Sequence, residues 1–336
     1  RGGGEPQTFR QVLLAGLAGP FGDGAVRGDI GHGEAFAGQK VGKTGGDVIA
    51  FVVPDHDRAL RGALAGQDSV RGQGARIGKA GLTPRQAAAK AGEAGAWFDR
   101  PMRWAQLTLV ENDPGRFDPD FWLDYFKRVH ADGVCLSAGG AVAYYPTRVP
   151  MHHRSAWLGD SDPFGHLVRG CRRMGMAVIA RTDPHATWDN VQQAHPDWIA
   201  VEANGKPRRH WSNSELWVTC ALGPYNFEFM TQVHDEIMRL YDVDGIFSNR
   251  WAGHGTCYCR HCADNFKAFS GMDLPRTTAR NDPAWRKYGQ WRIERLRQLW
   301  DLWDRTIRSV NPASRYIPNG FPDNVVTGRL SDIFFT

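Results

Sequence analysis

Cys257, Cys259 and Cys262 stand in the run Gly-His-Gly-Thr-Cys-Tyr-Cys-Arg-His-Cys, a C-x-C-x-x-C spacing. Three thiolates this close can take three corners of a zinc tetrahedron, and a fourth ligand must then come from elsewhere. Cys220 is the first candidate, with His254 and His261 next. Four protein ligands leave no open coordination position, so such a zinc would be structural; three buried or free thiols are the alternative. A second set of reactive types follows short apolar runs: Glu111 and Asp113; Arg181, Asp183 and His185; Asn249, Arg250 and Trp251; and Asn319. If those runs are parallel strands, their ends bring these side chains to one edge of a sheet.

The chain from Met102 onward supports that arrangement. Apolar runs near residues 105, 134, 178, 246, 317 and 334 alternate with amphipathic segments, the pattern of parallel βαβ units. Asp118 caps a helix with Pro119 in its first turn. A helix is expected around 163–174, another from about Asn226 to Tyr241, and a long one from about Pro283 to Val310. The last carries a stripe of Leu296, Leu299, Trp300, Trp303, Ile307 and Val310, spaced by three or four as a core-facing helix requires. A (β/α)8 barrel typically needs about 250 residues. The expected fold is therefore an α/β barrel of the TIM type, incomplete at the C-terminus with about six strands present. An open doubly wound sheet uses the same units, but no glycine-rich phosphate loop follows the first strand.

Composition divides the chain. All 13 Trp, all 8 Tyr and all 6 Cys lie at or after Trp97, whereas the first 96 residues hold 22 of the 39 glycines. Few large side chains there mean little buried area against a high ordering entropy. Residues 1–96 are expected to be a disordered or non-native extension, in which only Asp47–Val53 could pass for a strand; residues 97–336 form the partial barrel domain. The net charge of +5 is small and unclustered, which argues against nucleic acid. No run reaches the roughly 18–20 apolar residues of a membrane helix. The chain opens on Arg1 without a signal-peptide layout. The clustered cysteines suit a metal site better than a disulfide framework and lean toward a cytoplasmic compartment.

The run Phe-Ser-Asn-Arg-Trp followed by Cys-Tyr-Cys-Arg-His-Cys-Ala-Asp-Asn-Phe resembles the region after the fourth barrel strand of glycoside hydrolase family 42 β-galactosidases. The wider stretch from Trp104 through Pro275 is more similar still to the hypothetical glycosyl hydrolase 6 group. The resemblance implies a structural zinc with an upstream fourth cysteine, a galactoside or related substrate, and a homotrimer for the full-length protein. It also implies an Asn-Glu pair at the end of strand four, the Glu being the general acid/base. Here the pair is Asn249-Arg250, and arginine cannot exchange a proton at ordinary pH.

Barrel enzymes react at the C-terminal ends of their strands. Glycoside hydrolysis needs two carboxyl groups, about 5–5.5 Å apart for retention or about 6.5–9.5 Å for inversion. Asp183 and Glu111 are the expected pair, with Asp113 as substitute. His185, Arg181, Asn249, Arg250, Trp251 and Asn319 are expected to bind substrate. Asp113, which precedes a proline, can instead shape a turn, and Glu111 can instead pair with Arg181 or Arg250. Asp244, at the entry of its strand, is expected to be structural. Of the tryptophans outside helices (157, 188, 198, 211, 217 and 251), one or two should stack on a sugar ring. A non-catalytic carbohydrate-binding barrel and, more weakly, a metal-dependent hydrolase using Asp183 and His185 are the competing readings. The chain alone is expected to be inactive.

Overall fold

A computed structural model describes residues 47–52, 97–98 and 102–319 of the chain. Eight strands and six helices follow one another within them: β1 Asp47–Val52, β2 Arg103–Thr108, α1 Pro119–Arg128, β3 Gly133–Gly140, α2 Pro163–Arg173, β4 Ala177–Asp183, β5 Ala186–Thr187, α3 Asp189–Ala194, β6 Trp217–Val218, α4 Thr231–Leu240, β7 Gly245–Ser248, α5 Arg260–Ser270, α6 Pro283–Val310 and β8 Arg315–Pro318. A π-helical turn, Tyr225–Met230, leads into α4.

The main sheet runs β1-β2-β3-β4-β7-β8. From β2 to β8 all pairings are parallel, and each new strand adds on the same side of the last. A doubly wound sheet reverses its strand order at a switch point. The one-way order found here is that of a barrel wall. The five parallel strands agree with the expected runs, and the sixth, near residue 334, lies outside the described residues. The disorder expected of 1–96 also lies outside them, apart from Asp47–Val52, which pairs antiparallel along the free edge of β2.

Three helices begin with the same device. Asp118, Asp162 and Asp282 each accept backbone N–H bonds from the first turn, and a proline follows each one. The cap satisfies orphan donors, while proline has no donor to lose there. The long helix α6 has the bounds its apolar stripe predicts, with Leu296, Leu299, Trp300, Trp303 and Ile307 all buried.

Alternation along the strands separates two apolar layers. Ala105, Leu107, Val134, Leu136, Val178, Ala180, Ile246 and Tyr316 join the large cluster shared with Trp122, Phe126, Leu167, Ile237 and Trp303 of the helices. Trp104, Cys135, Ala177, Ile179, Phe247 and Ile317 form a second, smaller cluster. Successive strand residues point to opposite faces, so this second cluster is the inner wall. Both faces are buried, as a parallel sheet requires.

The inner face then continues upward by twos. Beyond Trp104 and Gln106 comes Thr108; beyond Cys135, Ser137; beyond Ile179, Arg181 and Asp183; beyond Phe247, Asn249; beyond Ile317, Asn319. A polar layer therefore caps the apolar inner wall at the C-terminal ends of the strands.

β3 is longer than its apolar run suggests, extending through Ser-Ala-Gly-Gly with a bulge between Ser137 and Gly139. Gly140 has φ +107°, and a Cβ there would lie 2.5 Å from the backbone of Asp183. Only glycine permits this conformation and this approach, and both hold the end of β3 against Asp183.

Candidate functional site

Arg181 and Asp183 are two residues apart on β4 and so share the inner face. The guanidinium donates to both carboxylate oxygens, Nε to Oδ2 and Nη2 to Oδ1, each at 3.0 Å. Arg181 Nη1 also donates to Thr108 Oγ1 on β2 at 3.1 Å. The Asn249 amide donates to Asp183 Oδ1 at 2.7 Å, and the Asn319 amide donates to Asn249 Oδ1 at 2.6 Å. The network thus crosses the mouth of the sheet from β2 through β4 and β7 to the end of β8.

Burial alone would raise the pKa of Asp183. The charge of Arg181 and its hydrogen bonds, helped by His185 and the Asn249 amide, instead hold it below the usual carboxylate value. Asp183 is therefore a fixed anion at neutral pH. The Arg181 guanidinium is buried and all three of its nitrogens bond to Asp183 or Thr108, so it orients Asp183 and is not placed to clamp a ligand.

Glu111 meets neither Arg181 nor Arg250. Both its oxygens lie 3.2 Å from Nε2 of His153, and Oε1 also accepts the Ala156 N–H at 2.9 Å. The His153 ring stacks on Trp188 at 4.2 Å between centroids, and the Trp188 indole N–H donates to the Ala141 carbonyl. Tyr144, whose hydroxyl donates to the Leu109 carbonyl, is kept protonated first by burial and then by the nearby charges of Asp183, Glu111 and Asp113. Asp183 and Glu111, the expected pair, thus both lie close enough to Tyr144 for their charges to act on it.

Two expected site residues belong elsewhere. Asp113 is buried and accepts the Val110 N–H at 2.7 Å, so its carboxylate anchors the turn after β2. Trp251 is fully buried against Trp300, Trp303 and Tyr316. It is a core residue between β8 and α6 and cannot stack on a sugar. Asp244 is structural as expected, accepting from Arg172 and from the Val178 N–H.

The long excursion after β4 supplies Trp211, one of the tryptophans expected to stack on sugar, and His210, which the sequence did not single out. Trp211 is 49% exposed, and around it lie His210 at 3.8 Å and His185 at 5.6 Å between ring centroids. The Arg250 guanidinium stacks over the same indole at 4.7 Å. Burial lowers the pKa of His185 to about 3 and of His210 to about 4, so both rings are neutral at pH 7. Trp157, 57% exposed, lies against Gly115 in the turn after β2. Nothing in the spacing of His153, Trp188 and His210 marks them as neighbours of the strand ends, because loop folding alone brings them there.

The cysteine expectation holds in geometry. The sulfurs of Cys220, Cys257, Cys259 and Cys262 all lie within 4.8 Å of one another, all four residues are buried, and no disulfide joins them. Cys220 lies 3.5 Å from Cys262 and from Cys259. A tetrahedral zinc with bonds of about 2.3 Å would set its sulfurs about 3.8 Å apart, so the four residues fit such an ion. The Val201 N–H donates to Cys257 Sγ at 3.4 Å, the kind of outer bond that orients a ligand. His261 pairs with Asp197 instead. The cluster ties the excursion (Cys220) to the segment after β7 (Cys257, Cys259) and to the first turn of α5 (Cys262). Asp183 and His185 belong to no comparable group among the described residues.

The family model of hypothetical glycosyl hydrolase 6 matches residues 119–250, from the start of α1 to just past β7. The match is narrower than the expected Trp104–Pro275 and stops before Cys257. No curated protein sequence matches the chain. Among solved structures, α-L-fucosidase isoenzyme 2 from Paenibacillus thiaminolyticus superposes with a TM-score of 0.51 at 18% identity, over 63% of this chain and 30% of the fucosidase. The β-galactosidase from Rahnella sp. R3 gives 0.44 at 16%, over 59% and 32%. The β-galactosidase from the haloarchaeon Halorubrum lacusprofundi gives 0.44 at 17%, over 60% and 35%. The chain thus spans about a third of the length of these proteins. At these identities the fucosidase likeness speaks for the fold. No described helix is long and apolar enough to cross a membrane.

Proposed function

We propose that residues 97–336 form the carbohydrate-binding part of a glycoside hydrolase barrel acting on a galactoside or related sugar. The observation that carries this reading is the pair of carboxylates near one end of the sheet in contrasting environments. Asp183 is clamped as an anion by Arg181 and Asn249, while Glu111 faces an imidazole and keeps part of its surface open. Two carboxyl groups set apart in this way are what a glycosidase needs, one to stabilise positive charge and one to exchange a proton. Asp183 takes the first role and Glu111, with His153, the second. Zinc in the four-cysteine cluster is structural and holds the excursion that carries His210 and Trp211.

Hydrolysis of aryl glycosides by the full-length protein tests the proposal. Loss of turnover in Glu111→Gln and Asp183→Asn is expected, and no turnover across a broad panel would refute it. A second reading, sugar binding without hydrolysis, is favoured by Arg250 at the position of the related enzymes' acid/base Glu. Sugar binding with no hydrolysis would select it.

A further inference from the structure

Arg250 follows β7 in the left-handed backbone region, at φ +54°. A non-glycine residue with this conformation is uncommon, and here it carries the side chain over Trp211. Among the described residues Arg250 makes no ion pair. Asp183 acts on it only through space, because Arg181 and Asn249 already occupy the Asp183 oxygens. A cation held over an indole face is attracted by the ring itself, and that contact uses none of its N–H donors.

His210 supplies an independent second donor. Its Nδ1 accepts the Ser212 N–H at 3.3 Å. The neutral ring must therefore carry its proton on Nε2. That atom is buried and has no hydrogen-bond partner among the described residues. A buried N–H left without an acceptor is costly. His210 and Arg250 lie near enough for the arginine charge to act on the ring. One cation and one stranded donor thus flank a half-exposed indole, and both lack an acceptor.

We infer that this corner of the site, beside Trp211, binds the anionic group of an acidic sugar, a carboxylate or a sulfate ester. The inference rests on the carbohydrate reading above and narrows its substrate class. A neutral galactoside would leave the Arg250 charge and the His210 N–H without an acidic partner. An anion satisfies both with charge-assisted bonds, which are shorter and stronger than neutral ones. The two rings do not compete as cations, since burial keeps His185 and His210 neutral at pH 7. The fixed anion nearby, Asp183, is already balanced by Arg181.

Calorimetric titration of the full-length protein with methyl galactoside, methyl galacturonide and methyl galactoside 6-sulfate decides the matter. At least one acidic sugar should bind about tenfold more tightly than the neutral one, the gain expected of a hydrogen bond to a charged group; which one does so identifies the anion. Arg250→Gln should bring acidic and neutral sugars to parity, and Arg250→Lys should keep part of the preference. Circular dichroism of both variants establishes that they fold. Equal binding of acidic and neutral sugars by the unaltered protein would overturn the inference and leave the carbohydrate reading standing. An acidic preference that survives in Arg250→Gln would also overturn it. No binding of any sugar would bring down the carbohydrate reading and this inference together.

Discussion

Arg181 holds both carboxylate oxygens of Asp183 from two positions earlier on the same strand, at 3.0 Å each. The strand repeat makes this pairing possible, because residues i and i+2 share a face. The buried guanidinium has its other outlet on Thr108 of β2, so one side chain ties two strands together and fixes the charge of Asp183. Losing Arg181 would leave the partly buried Asp183 anion without its main partner. Arg181→Met should destabilise the protein by about 3–5 kcal/mol in urea unfolding. Arg181→Met combined with Asp183→Asn should recover a large part of that loss, because no charge is then left unpaired.

Gly140 and Gly159 both have positive φ, but only Gly140 faces backbone. A Cβ at Gly140 meets Asp183 at 2.5 Å, whereas one at Gly159 meets nothing within 4 Å. Gly159→Ala should cost about 1 kcal/mol, the backbone contribution alone. Gly140→Ala adds overpacking and should cost about 3 kcal/mol or more. Paired urea curves check the difference, and equal losses would contradict the close approach of β3 to Asp183.

Trp251 and Trp211 separate core from site. Trp251→Ala should lower stability by about 3–5 kcal/mol, as removal of a buried aromatic does. Trp211→Ala, on the surface, should change stability by no more than about 0.5 kcal/mol yet weaken sugar binding severalfold. Thermal unfolding and sugar titration of the two variants check this double dissociation.

Metal content tests the cysteine cluster. Purified protein should contain about one zinc per chain. Cys262→Ser should reduce the zinc content and lower the melting temperature, because metal-binding energy contributes to folding where a site does not exist in the unfolded chain. Full zinc retention in that variant would exclude Cys262 as a ligand.

Acid should unfold the protein early. Burial depresses His152, His185 and His234 to about 3 and His210 to about 4, while an unfolded histidine titrates near about 6.5. Between those values the unfolded chain binds more protons than the folded one, so stability falls as pH drops. Each such histidine contributes up to about 1.4 kcal/mol per pH unit in that window. Asp183, also depressed, adds its loss only below about pH 4, where the unfolded carboxylate protonates. Urea midpoints from pH 7.5 to 4.5 should decline steadily, and a flat profile would contradict the burial of these rings.

Several features were legible in the residues alone because their physics is local. The Asp-Pro start of α1, the apolar stripe of α6 and the five parallel strands follow from capping, period and run length. The C-x-C-x-x-C spacing likewise carries its own ligand geometry, and Cys220 completed it. Alternation along the strands decided that Arg181, Asp183, Asn249 and Asn319 would share one face. What neighbours each side chain was a matter for the tertiary structure. Glu111 turned to His153 rather than to an arginine, Asp113 closed on the Val110 amide, and Trp251 entered the core. The excursion after β4 brought His210 and Trp211 beside Arg250. Contacts between residues tens of positions apart depend on how loops return over the sheet, and no spacing rule within the chain encodes that path.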